Sequence, residues 1–430
     1  RSPSRAYSAF MGQPVEFQGR LFFVAFDGRS GFVLCGTDGT PAGTSVLLTF
    51  MNDGMRAFAN RAPLASTPMP RLFHYRDRLL LWSPTSVWAT DGTAAGCHQV
   101  WTGSRAFYPV LTGVGLCWVQ AAIDPTAQPS TLWHSDGTVL GTRELQFPGG
   151  GRFDAVYGML PFQGDLLVSG THSSGLGLLV RVDVDSGQLT QVAPQPWFQS
   201  LNNMAPPAAA LGESLVFQAA SGGGTIWATR GTPETTAALS DAARVPLGFA
   251  ILGSQLYFSA NDAIHGRELW STDGTPAGTR LEWDAYPGSP SGLGDPVGAS
   301  VASPLVTAAD RVWMGVSRPG GGDVFSLAPG EAEPRRETAY QQSGGLLTFG
   351  LVRTSEGGLH FREASANAFH PREVFRFDGS PQGATVLPGP LNFVPGSNGV
   401  LPLALFRDGA VYPGDVFAAQ RSEERRVGKE

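Results

Sequence analysis

At 430 residues and a formal net charge of −6, the chain carries no electrostatic footprint for nucleic acid, and no apolar run reaches the roughly 18 residues of a membrane helix. Its 56 glycines, 33 prolines and 10% aromatics, with only 15% charged residues, describe short strands and many turns rather than disorder. The length is ample for a sizeable core.

The chain opens Arg1-Ser2-Pro3-Ser4, with neither an initiator Met nor a signal peptide. Three cysteines, Cys35, Cys97 and Cys117, match no zinc spacing, and an odd count gives no disulfide framework. They read as small buried hydrophobes, with one disulfide as the alternative.

A first hairpin signal follows the strand Leu21–Ala25: Leu34-Cys35-Gly36-Thr37-Asp38-Gly39-Thr40, closing at Gly43-Thr44. Asp-Gly between apolar runs marks a tight turn because both residues tolerate positive φ. The signal returns after Leu79–Trp82 as Val87-Trp88-Ala89-Thr90-Asp91-Gly92, and after Leu116–Val119 as Leu132-Trp133-His134-Ser135-Asp136-Gly137. A degenerate fourth copy turns at Asp185-Ser186-Gly187, and a fifth reads Ile226-Trp227-Ala228-Thr229-Arg230-Gly231. The sixth is the fullest, Glu268-Leu269-Trp270-Ser271-Thr272-Asp273-Gly274-Thr275. The seventh has lost Asp-Gly and passes Phe325 to reach Ala328, while the eighth passes Phe375 to reach Asp378-Gly379. A ninth begins near Ala410-Val411-Tyr412.

Markers at 38, 91, 136, 185, 230, 273, 328 and 378 are 43–55 residues apart. About four strands fit each interval, and the middle ones are apolar on both faces, as a strand covered from both sides requires. That is the spacing of propeller blades. The expected fold is therefore all-β: a β-propeller of about eight four-stranded blades, or seven, truncated at both ends and filling residues 1–420. The last ten residues, 421–430, hold seven charges, resemble a translated sequencing-adapter read, and are set aside as an artefactual, disordered tail.

Glu268 through Thr275 resembles, letter for letter, the bacterial ELWxxDGT repeat, a propeller-type repeat of secreted and surface proteins. Asp284-Ala285-Tyr286-Pro287-Gly288 resembles the Asp-x-x-Pro-Gly segment that follows it in that family. The resemblance spans roughly residues 17 to 420. It implies an extracellular or cell-surface location, and it brings no catalytic residues with it. The turns lack the Ser-x-Asp-x-Gly-x-Thr-Trp spacing of the sialidase Asp-box.

Two features repeat at fixed position. The turn pairs Asp38-Gly39, Asp91-Gly92, Asp136-Gly137, Asp273-Gly274 and Asp378-Gly379 read as structural, because Asp beside Gly and Thr bonds its own turn. Three residues before the marker stand Trp88, Trp133, Trp227, Trp270, Phe325 and Phe375. These read as core between blades rather than a sugar-stacking platform. Asp183 and Asp185 alternate like calcium ligands but lack a closing Glu, so the cofactor expectation is none, with Ca²⁺ the alternative. No His pair with metal spacing, nucleophile elbow or phosphate loop occurs, so neither a catalytic nor a metal residue is assigned. The expectation is a non-enzymatic exported or surface scaffold that binds a protein or glycan partner. The alternative is a secreted hydrolase or lyase with its active site at the channel mouth.

Overall fold

The computed structural model describes residues 10–26, 32–40, 42–50, 70–121, 130–173, 179–193, 198, 207–220, 224–285, 287, 292–293, 305–308, 310–318 and 321–337. It also describes strands at 350–353, 359–362, 374–377, 384–386, 404–406 and 409–411. Asp378, Gly379 and the tail 421–430 lie outside the described residues, as does the side chain of Phe375.

The architecture is all-β and is built from four-stranded antiparallel sheets, each formed by strands in simple chain order. The first is β1 (Phe10–Phe17), β2 (Arg20–Phe26), β3 (Phe32–Thr37) and β4 (Ser45–Phe50). The second is β5 (Arg71–Tyr75), β6 (Arg78–Ser83), β7 (Ser86–Thr90) and β8 (His98–Thr102). The third is β9 (Ala106–Leu111), β10 (Leu116–Gln120), β11 (Thr131–Ser135) and β12 (Arg143–Glu144), and the fourth β13 (Phe153–Phe162), β14 (Asp165–His172), β15 (Leu179–Val182) and β16 (Leu189–Ala193).

Then comes a seven-stranded sheet: β17 (Ala208–Leu211), β18 (Ser214–Gln218), β19 (Thr225–Thr229), β20 (Ala237–Leu252), β21 (Gln255–Asp262), β22 (Gly266–Thr272) and β23 (Arg280–Trp283). It is two blades that share one strand. The sixteen residues of β20 pair with β19 at one end and with β21 at the other. Two further blades follow: β24 (Val306–Ala308), β25 (Arg311–Arg318), β26 (Gly321–Leu327) and β27 (Arg335–Arg336), then β28 (Gly350–Arg353), β29 (Leu359–Arg362), β30 (Val374–Phe377) and β31 (Ala384–Val386). A hairpin of β32 (Ala404–Phe406) and β33 (Gly409–Val411) is last. Among the described residues this makes eight four-stranded units, which is the blade arrangement of the β-propeller class.

The chain divides into two compact units, Arg1–Pro194 with Gln199–Ala205 and Pro402–Glu430 in one, Gln195–Phe198 with Pro206–Leu401 in the other. In the first unit the second blade shows why its strands are apolar on both faces. Leu79 and Leu81 of β6 join Phe22 and Leu34 of the first blade in one buried cluster. Leu80 and Trp82, pointing the other way, join Leu116 and Trp118 of the third. Each such leucine contributes about 1.5–3 kcal/mol on burial, so alternation of apolar and polar residues would leave one neighbour without a partner. Trp88 and Trp133 sit half-buried against these same clusters.

The turns repeat atom for atom. Asp273 Oδ1 accepts from the Thr275 amide at 2.8 Å and from its hydroxyl at 2.7 Å, and Thr275 Oγ1 accepts from the Gly278 amide at 3.1 Å. Thr272 Oγ1 accepts from the Gly274 amide at 3.0 Å and meets Thr279 Oγ1 at 2.7 Å. Asp38, Asp91 and Asp136 make the same two bonds with Thr40, Thr93 and Thr138. Where Arg230 replaces Asp, Thr235 Oγ1 takes over the Thr232 amide at 3.3 Å, which is why this turn survives the loss. All three cysteines are free thiols. Cys35 and Cys117 are buried, whereas Cys97 occupies the place of the last turn threonine and bonds the Thr93 carbonyl through sulfur at 3.3 Å.

Candidate functional site

Among the described residues, each repeated carboxylate (Asp38, Asp91, Asp136 and Asp273) is taken up by the threonine of its own turn. Among the described residues no group of three or more His, Cys, Asp or Glu side chains could hold a metal ion. Asp183 Oδ1 accepts the Ser186 amide at 2.8 Å and so ties the β15–β16 turn.

The chemistry gathers instead on the sixth repeat. Two residues before the repeat aromatic, Ser86, Thr131 and Thr225 accept the indole N–H of Trp88, Trp133 and Trp227 at 3.1, 3.1 and 3.0 Å. In the sixth copy that place is taken by Glu268, whose longer side chain passes the indole by. Trp270 Nε1 is left buried without a partner. Glu268 reaches forward, where Oε2 accepts the Ala285 amide at 2.8 Å and Oε1 the Gly292 amide at 2.6 Å. It is wholly buried. Burial, above all, pushes its carboxyl up to about 7, and the Asp284 charge adds to the rise against the two amide bonds.

The hairpin joining β21 to β22 turns through Ala263-Ile264-His265, with Asp262 paired across it to Gly266. Asp262 Oδ1 accepts the amides of Ile264 at 2.8 Å and His265 at 2.5 Å. Its Oδ2 lies 2.7 Å from His265 Nδ1. Asp262 is 9% exposed at its side chain and His265 33%. Burial pushes the Asp262 carboxyl up, but the bonds from His265 and Ile264 outweigh it and hold the group below the usual range. The same carboxylate bond raises His265 above the ordinary imidazole value.

With Nδ1 donating to a carboxylate, the imidazole presents Nε2 as its proton-exchanging atom. Two carboxyls pushed in opposite directions, beside an oriented and accessible histidine, form an arrangement suited to general acid–base work. Only His265 can meet a substrate, because Glu268 is closed off. The sequence motif contains Glu268 and the hairpin contains Asp-x-x-His, so both were legible as letters. Their coupling was not, because histidine scans look for a second histidine rather than a turn carboxylate.

No protein-family model matches the chain, and no curated protein sequence matches it. Among solved structures it resembles a puromycin hydrolase at 16% identity and TM-score 0.41, covering 73% of this chain and 50% of that one. It resembles prolyl endopeptidases at 10% identity and TM-score 0.41, with 84% and 55% covered. A third is the β-propeller domain of the Trilobed protease from Pyrococcus furiosus, at 10% identity and TM-score 0.37, with 89% and 99% covered. The chain spans about half the length of the first two. These structures are hydrolases or the propeller of one, against the expectation of a non-enzymatic scaffold or adhesion module. Among the described residues no helix is long and apolar enough to cross a membrane.

Proposed function

We propose that this chain serves a hydrolase, with His265 as a general acid–base group oriented by Asp262. The observation that carries the reading is the 2.7 Å contact between Asp262 Oδ2 and His265 Nδ1 on a histidine whose side chain stays one-third exposed. A carboxylate on Nδ1 fixes the tautomer and the ring plane, so Nε2 can take a proton from attacking water and return it to the leaving group. An exported location belongs to the same proposal and rests on the resemblance of the repeats.

The test is turnover of ester, peptide and glycoside reporter substrates by the purified chain, alone and as His265→Gln. General acid–base catalysis predicts a loss of about 10²-fold or more in the variant with the fold intact by circular dichroism. Equal rates in the two proteins, or no turnover of any reporter by the purified chain, would overturn the reading.

A further inference from the structure

Four Asp-Gly steps occupy described hairpin tips: Asp38-Gly39, Asp91-Gly92, Asp136-Gly137 and Asp273-Gly274, with Asp91 and Asp273 exposed. In a free chain such a step is, among aspartyl peptides, especially open to self-modification, because glycine has no side chain to shield its own amide. That nitrogen attacks Cγ of the protonated aspartate, a C–N bond forms as the Cγ–OH bond breaks, and the amide proton leaves with that hydroxyl as water. Water then opens the resulting succinimide on either side, giving aspartate or isoaspartate.

Both partners in this ring closure are already engaged. The attacking amides of Gly39, Gly92 and Gly274 donate to the hydroxyls of Thr37, Thr90 and Thr272 at 3.0, 3.1 and 3.0 Å, and that of Gly137 to Ser135 at 3.1 Å. Each aspartate Oδ1 is held by the amide and hydroxyl of the threonine two residues on. Behind the carboxylates lie Gly43, Gly96, Gly141 and Gly278, so close that a Cβ there would overlap the carboxylate. The two threonine bonds hold the aspartate side chain in this rotamer, and swinging Cγ toward the glycine nitrogen would break them. The threonine bonds also lower the carboxyls of Asp91 and Asp273, which removes the neutral acid that loses water most readily.

We propose that these four aspartates are latent isoaspartate sites, held shut by the threonine two residues after each and by the hydroxyl residue before it. The repeat signature thereby places a labile dipeptide in hairpin tips, two of them with an exposed aspartate, without chemical ageing.

The experiment is prolonged incubation of the full chain at neutral pH and body temperature, with isoaspartate located by peptide mapping. Native protein, protein in urea, Thr275→Ala and Thr275→Ser are compared. The native chain stays unmodified at all four sites, and the chain in urea accumulates isoaspartate at each. Thr275→Ala reacts at Asp273 faster by about tenfold or more, the worth of a charge-assisted hydrogen bond, while the other three turns stay silent. Thr275→Ser restores protection. A variant that merely unfolds would react at all four sites, and is recognised by that pattern. Native turns reacting as fast as the urea-treated chain, or Thr275→Ala leaving Asp273 as slow as its neighbours, would overturn the proposal.

Discussion

Arg78 Nη1 of the second blade donates to the Gly137 carbonyl of the third at 3.1 Å, so the turn of one blade is latched by the first residue of a strand in the blade before it. Arg20 makes the same reach to Gly92 at 3.4 Å, and Arg143 reaches the Val184 carbonyl at 3.0 Å. The latch carries packing as well as a hydrogen bond, since the arginine stem lies under the turn glycine. Arg78→Ala is expected to cost about 1–2 kcal/mol, read as a lower urea midpoint with the slope unchanged.

Gly137 is fixed from the other side. Its φ is +86°, and a Cβ would stand 2.5 Å from Arg78 Cδ and 2.9 Å from Leu80 Cδ2. Gly137→Ala should therefore destabilise by about 2–4 kcal/mol, combining left-handed strain with overpacking. Gly253→Ala, at φ +61° but with nothing within 4 Å, should cost clearly less in the same thermal melt. Equal losses would mean that backbone strain alone matters.

Glu268 makes stability depend on pH. Its carboxyl titrates near 7 in the fold against an ordinary 4.5, so the native state holds the proton more tightly than the unfolded chain. The resulting stabilisation is full below pH about 4.5 and is lost as pH rises through about 7, to the extent of roughly 3 kcal/mol. Glu268→Gln should flatten that part of the profile in denaturant titrations between these limits. A wild-type profile that rises across the window would contradict the assignment.

The thiols should separate by environment. Burial pushes Cys117 up to about 12, and it is fully enclosed, whereas Cys97 lies in a partly exposed turn with its thiol also raised by burial. Alkylation of the native protein, followed by mass spectrometry, should mark Cys97 and spare Cys117. Prompt labelling of Cys117 would show that the third blade opens under native conditions.

The blade plan is written in the sequence because it rests on local rules. Asp-Gly-Thr closes a hairpin through atoms within a few residues of one another, and double-faced apolar strands such as Leu79–Trp82 demand neighbours on both sides. Period and strand number follow from those two facts. Tertiary structure alone decided what the non-repeating residues do. Nothing local says that Glu268 forgoes the indole two residues away for the amides of Ala285 and Gly292, or that this burial lifts its carboxyl toward neutrality. Nor does the sequence show β20 serving two blades, since a strand of sixteen residues becomes shared only when its two ends find different partners. Function was the least legible layer, because a hairpin carboxylate and a histidine three residues on become the contact on which the proposed function rests only once the fold sets their distance and their exposure to solvent.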